Sequence, residues 1–388
     1  MGISCQRVDS LKPVTCGPGM QISVLNPDSC ECISHAVPEI QGESCECDTF
    51  YHWNLDSTAC ELDSSSAEFD WTVYFLGQGS WGLWDVTIID ENNIWAVGAT
   101  YHESSEYNLV HWDGTSWEYI PMLAPPYDNF STIYSIKAFT PENIWAGINV
   151  PIHFNGIDWI RSSGPGSWGD GWYFNSYIYC IAPGVDGELF FTGLDGQFVR
   201  YHSEIFTYYQ ANTDINFYHA QYYPKQDALF LVGNDGRHNS AVYKCIQGDC
   251  IPIIESQSYV SDPPLNPYGK LYDIAIYGDT LYTIVGRGVI AYDIPTDSLI
   301  FPREVFPGLT SSASALFVTH PNDILIVENN GHYVHFDGRV WRNYSQLLLS
   351  GNLHQAHVFG CDYRDDILAA VGFEEANGRN FVAIGNKH

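Results

Sequence analysis

Residues 84–117, WDVTIIDENNIWAVGATYHESSEYNLVHWDGTSW, decide how this chain folds. Trp84 to Ile89 reads as a short strand, and the polar run Asp90-Glu91-Asn92-Asn93 as a turn. Ile94 to Gly98 and Leu109 to Trp112 read as two further strands. The hairpin pair Asp113-Gly114 then leads into a fourth strand carrying Trp117. Four short antiparallel strands with one aromatic face cannot bury that face alone, so copies of the unit must stack.

Copies are present. The second strand recurs at Trp95, Trp145, Phe190, Phe230, Tyr282, Leu325 and Leu368, with spacings of 50, 45, 40, 52, 43 and 43 residues. The third strand and its turn recur as VHWDGTSW (110–117), IHFNGIDW (152–159), VRYHSEIF (199–206) and VHFDGRVW (334–341). A period of about 40–50 residues made of four short strands is that of propeller blades. The expectation is an all-β, seven-bladed β-propeller with four-stranded blades over residues 69–388. The last unit lacks a fourth strand after Asn380 to Ile384. Phe69 to Tyr74 carries the fourth-strand pattern and is expected to close that blade, removing an open sheet edge.

Composition bounds what such a protein does. Sixteen basic residues against 46 acidic ones give a formal charge of −30, which excludes nucleic acid or an anionic lipid surface as the main partner. No apolar run reaches membrane-spanning length, so any membrane association is expected through an anchor. Seven of the 11 cysteines fall in the first 60 residues, which predicts an oxidising compartment and a disulfide-stapled module over residues 1–60. An acidic, Ser-rich linker follows at 61–68.

Cys16 to Cys30 and Cys47 to Cys60 each enclose an Asn-x-Asp-Ser turn before the closing cysteine. Two disulfide-closed hairpins are therefore expected, with Cys32–Cys45 between them, although six cysteines permit 15 connectivities. Cys245 and Cys250 flank a hairpin turn and are expected to clip it. Cys180 and Cys361, on different units, are expected to stay unpaired with each other. No zinc-type spacing of cysteine and histidine occurs, and no metal is expected.

Two groups of residues are candidates for function. The first lies on the long loops of one face: Trp168, Trp172, Tyr173 and Phe174 crowd the 161–177 loop, and Tyr127 lies in the 121–131 loop. Large aromatics on loops serve as stacking or docking platforms, or they cap blade edges against water, and the sequence permits both. The second group lies on the innermost strands. After the leading aromatics Trp84, Tyr134, Tyr179, Tyr218 and Tyr272 come Asp85, Ser135, Cys180, His219 and Asp273, with His357 taken as the last equivalent. This register predicts that His219 faces Asp273, and that His357 faces Asp85, at the channel mouth. Such pairs serve acid–base chemistry or metal binding, or hydrogen bonding between blades, and the last use is favoured.

The iterated x-D-x-N-x-W-A-V-G and V-H-W-D-G-x-x-W elements resemble propellers of secreted bacterial surface proteins and lipoproteins, of the kind found in Bacteroidota, over residues 69–388. Gly-Ile-Ser-Cys at positions 2–5 resembles the end of a lipobox, which implies lipidation at Cys5; an ordinary unpaired cysteine is the alternative. The Asp-Gly-x-x-Trp turns resemble the Asp-box turns of sialidase-like propellers, where the motif is structural. No nucleophile elbow, phosphate-binding glycine loop or quinone-dehydrogenase pattern appears, so no cofactor is expected and binding is favoured over catalysis. The implied role is a non-catalytic, lipid-anchored envelope subunit with a protein partner. A glycan-binding or glycan-cleaving propeller is the alternative.

Overall fold

The computed structural model describes residues 67–387 except 80–81, 122–131, 162–176, 238, 258–269, 286–287, 301–308, 346, 349–352 and 354. Before these it describes 20–22, 30–32, 36–38, 45–47, 51–53 and 60–62. The chain divides into two compact units, Met1–Ser65 and Ser66–His388.

In the first unit three short hairpins follow one another: Met20–Ile22 with Cys30–Cys32, Ala36–Pro38 with Cys45–Cys47, and Tyr51–Trp53 with Cys60–Leu62. Cys32 and Cys60 are each disulfide-bonded. Cys5 and Cys16 lie outside the described residues.

The second unit is a β-propeller. Five antiparallel four-stranded blades follow in sequence over residues 135–161, 180–210, 216–257, 274–300 and 313–344. In place of the expected seven four-stranded blades the described residues form five; the remaining strands form one eight-stranded sheet shared by the first and last repeats. Phe69–Gln78 runs antiparallel to Arg379–Lys387, with Tyr74 opposite Val382 and Thr72 opposite Ile384. Its far end passes beyond that edge, and Gln78 pairs with Tyr101 in Asn93–His102 of the first repeat. Gly77 makes the junction sterically feasible: its φ is +106°, and a Cβ there would collide with the Tyr101 carbonyl oxygen. Repeat spacing counts supersecondary units, whereas this single pairing decides how many sheets they form.

The recurrent sequence motif has a local physical cause. Asn93 Oδ1 accepts a 2.7 Å hydrogen bond from the Trp95 indole and lies 3.0 Å from His111 Nε2, while the His111 ring stacks on Trp95 at 3.9 Å. The next repeat rebuilds the set with Asn143, Trp145 and His153, at 3.0 Å and 2.9 Å. Asp323 and His335 keep the polar half at 2.7 Å, with Leu325 in the tryptophan place. The set pins the second strand to the third while satisfying groups withdrawn from water. At the hairpin that follows, Asp113 Oδ1 accepts the amide hydrogens of Thr115 and Ser116, and Asn155 and Asp337 do likewise in later repeats.

Between blades the core is aliphatic and aromatic. Phe191, Phe198, Phe217, Phe230 and Phe381 are fully buried. Cys245 and Cys250 form the expected disulfide across their hairpin, with Cα atoms 4.1 Å apart, and Cys180 and Cys361 carry free thiols. No helix among the described residues is long and apolar enough to cross a membrane.

Replacing Asn143 by Ala leaves both the Trp145 indole and the His153 ring without their shared acceptor. The expected loss is about 1–3 kcal/mol in urea-unfolding free energy. A loss below about 0.5 kcal/mol would show that the set contributes packing alone.

Candidate functional site: the central channel

The innermost strand of each repeat has one edge paired within its sheet and the other turned to the channel. That outer edge bears backbone groups needing partners. Side chains of the neighbouring repeat supply them. Asp85 Oδ2 accepts the Ile136 amide hydrogen at 2.8 Å, Asp273 Oδ2 that of Leu316 at 2.7 Å, and Asp362 Oδ2 that of Ile88 at 2.8 Å. Where no carboxylate is present a hydroxyl acts: Ser135 donates to the Ile178 carbonyl, Thr192 to that of Phe217 and Ser314 to that of Val358. Ser240 accepts from the Leu271 amide at 3.1 Å.

These clasps surround a cavity of about 680 Å³. Its walls are layered. Asp85, Ser135, Cys180, His219, Ala315 and Cys361 pair with Val97, Gly147, Thr192, Val232, Val327 and Ala370, each two residues past the recurrent second-strand position. Asp273 occupies the same level opposite Ile284. One level towards the strand starts lie aromatic rings. Trp84 stacks on Phe359 with centroids 4.7 Å apart and planes at 17°, and it meets Tyr134 at 5.4 Å. Tyr179 lies 5.9 Å from Tyr134 and 5.0 Å from Tyr218, and the Lys270 ammonium lies 5.7 Å above the Tyr272 ring. Burial with neighbouring phenols lifts Tyr134 to about 12, so its hydroxyl stays protonated near neutrality.

The structure brings His219 and Asp273 together: the ring Nδ1 meets Asp273 Oδ1, with the carboxylate almost fully buried. It does not bring His357 to Asp85. His357 lies 3.3 Å from Asn329 Oδ1 and 3.3 Å from Glu375 Oε2, and the residue at the Asp85 level in the last repeat is Cys361. The first hairpin of the last repeat is shorter: Cys361 pairs with Ala370, nine residues on, whereas Asp85 pairs with Val97, twelve residues on, so counting back from Leu368 at the usual spacing overshoots to His357. Gly360 sits where a Cβ would strike the Trp84 carbonyl oxygen, and Phe359 takes up the aromatic place one residue early. Trp168, Trp172, Tyr173, Phe174 and Tyr127 lie outside the described residues.

Two channel residues escaped the sequence reading. Lys137 reaches Asp362 at 3.4 Å, so this carboxylate is both clasp and ion-pair partner. Asp362 directly follows Cys361, and correct alignment of the last repeat would have exposed it. Asp85 has no ion-pair partner among the described residues. Its oxygens accept only the Val86 and Ile136 amides. Burial outweighs those two bonds, with Asp362 adding repulsion, and raises the Asp85 carboxyl to about 7. Burial opposes the charge on His219, but the Asp273 carboxylate beside it prevails and holds the imidazole above its ordinary value.

Both shifts act on stability with one sign. His219 contributes fully below its unfolded value near 6.5, and its contribution is lost as pH rises through the raised folded value. The folded Asp85 site also binds its proton more tightly than the unfolded chain, so its contribution falls as pH climbs from about 4 towards about 7. Melting temperature should therefore decline between about pH 6.5 and pH 8. Asp85→Asn lowers the whole curve, because an amide nitrogen cannot accept an N–H, but it should flatten the decline. An unchanged slope in differential scanning fluorimetry would mean that Asp85 is ionised throughout.

No family model and no curated protein matches this sequence. Among solved structures, the WD40 β-propeller domain of Doa1 is similar at 11% identity, covering 82% of this chain and 96% of that one, with a TM-score of 0.56. The extracellular domain of the putative one component system BT4673 from B. thetaiotaomicron is similar at 14% identity and TM-score 0.56, over 81% of this chain and 40% of that one. The extracellular domain of the putative hybrid two component system BT3049 from B. thetaiotaomicron is similar at 13% identity and TM-score 0.56, over 81% and 42%. This chain thus spans about two fifths of the length of those two extracellular domains. At such identity the likeness carries the fold alone: the described chain from Ala67 onward is a β-propeller.

Proposed function

We propose that this chain is a non-catalytic binding module working outside the cytoplasm, held in the cell envelope by a lipid on Cys5 and serving as an accessory or receptor subunit of a surface complex. The observation that carries the reading is the central cavity of about 680 Å³, of a size for a small molecule and rimmed by aromatic rings. The acidic groups around it are already engaged: Asp85, Asp273 and Asp362 each hold the backbone of a neighbouring repeat. A general acid or base must exchange protons with substrate, and moving these carboxylates would open the ring. The extracytoplasmic assignment is supported by the Cys245–Cys250 disulfide and by the cysteine-dense N-terminal unit.

Native mass spectrometry of protein purified from its own membranes tests both parts. The chain is expected to carry a diacylglyceryl mass on Cys5 and to retain a small molecule recoverable unchanged. A double variant, Trp84→Ala with Tyr218→Ala, should fold and lose that molecule. An unmodified Cys5 removes the anchor from the proposal. A chemically altered product released on incubation replaces the binding module with an enzyme.

A further inference from the structure

Three carboxylates, two lysines and His219 line the channel, and they are not evenly matched. Of the three carboxylates, Asp362 is met by Lys137 and Asp273 by His219. Asp85 accepts hydrogen bonds from two backbone amides and feels Lys137 only from beyond ion-pair distance, although a carboxylate withdrawn from water without a close cation is costly. Next to it in sequence, Trp84 begins the collar of aromatic rings, whose faces carry negative electrostatic potential and attract cations. One ring already shows the use: the Lys270 ammonium sits 5.7 Å above Tyr272. The chain carries a formal charge of −30, and its field favours the approach of small cations over anions.

Resting on the binding-module reading above, we propose that the channel takes a small organic cation, with a primary or quaternary ammonium head, passing the aromatic collar and coming to rest against Asp85. A neutral sugar would use the collar equally well but would leave the Asp85 carboxylate uncompensated. An anion would meet Asp85 and Asp273, while the two lysines of the lining are already engaged, Lys137 with Asp362 and Lys270 over the Tyr272 ring. A bare metal ion is a poorer occupant, since no group of three His, Cys, Asp or Glu side chains among the described residues has ligand geometry.

The site couples cation binding to a proton. The groups that face Asp85 are Asp362 and Cys361 from the last repeat, Lys137 from the second, Cys180 from the third, and His219 with Asp273 across the channel. The cation binds the ionised carboxylate, so below about pH 7 it competes with the proton on Asp85. His219 loses its own positive charge as pH rises, which acts in the same direction.

Isothermal titration of the full chain with cadaverine and with choline, against glucose and acetate, tests the proposal. At least one cation should bind, about tenfold more tightly at pH 8 than at pH 6, the ratio set by a competing proton with a pKa near 7. Asp85→Asn should weaken binding at least tenfold and remove the pH dependence. Should that variant fail to fold because its clasp is broken, Trp84→Ala serves instead: it leaves Asp85 in place, so binding should weaken several-fold while remaining pH-dependent. Binding of glucose or acetate but of neither cation overturns the cation assignment and leaves the binding module intact. Cation binding that ignores pH or survives both substitutions overturns it as well. Absence of binding by every probe overturns it too. If the natively purified protein then also carries no retained molecule, the binding-module reading falls with it.

Discussion

The innermost strands of a closed ring of sheets impose the constraint on which this structure depends. Each such strand has a sheet neighbour on one side only, and its other edge faces a cavity too narrow for bulk solvent to satisfy every backbone group. The chain answers with side chains donated across each junction. Asp85, Asp273 and Asp362 accept amide hydrogens, while Ser135, Thr192 and Ser314 donate to carbonyls. These bonds orient each repeat against the next, and the one from Asp362 to Ile88 is made only when the ring is complete.

Channel chemistry follows from that arrangement. A carboxylate that must hold a backbone amide cannot retreat into solvent, so it stays buried and its proton affinity is set by its surroundings. Where a cation lies opposite, as Lys137 does for Asp362, the charge is compensated. Asp85 lacks such a partner and its carboxyl rises to about 7 because burial dominates. The free thiol of Cys180, fully enclosed beside Asp85 and Asp273, is pushed by burial to about 12 and remains an inert thiol near neutrality. A cavity lined by buried carboxylates under an aromatic collar thus arises from residues whose first duty is to close the ring.

The outer part of each repeat follows a different logic. Asn93 with Trp95 and His111, and Asn143 with Trp145 and His153, are satisfied within a single repeat. Burial holds both imidazoles below their ordinary value, so these two histidines favour folding above pH 6.5 and oppose it as pH falls below that. Channel groups act with the opposite sign, and the two sets together favour a stability maximum in mildly acidic solution.

The repeat period, the hairpin turns at Asp113-Gly114 and its relatives, the pairing of Phe69–Gln78 with the chain end, and the Cys245–Cys250 clip were legible in the sequence. Each is encoded within one repeat or by a pattern recurring at fixed spacing. The His219–Asp273 contact was legible too, because both residues sit at the same place after a leading aromatic. The tertiary structure alone decided the rest. Joining of the first and last repeats into one eight-stranded sheet turns on Gly77 letting two backbones approach. Replacement of His357 by Cys361 at the channel turns on the shorter first hairpin of the last repeat, and the meeting of Lys137 with Asp362 turns on residues 225 positions apart. A period fixes which residues are equivalent only while every repeat keeps its register. Bulges and close glycine contacts change that register locally, and their effect is felt on a neighbour that only ring closure supplies.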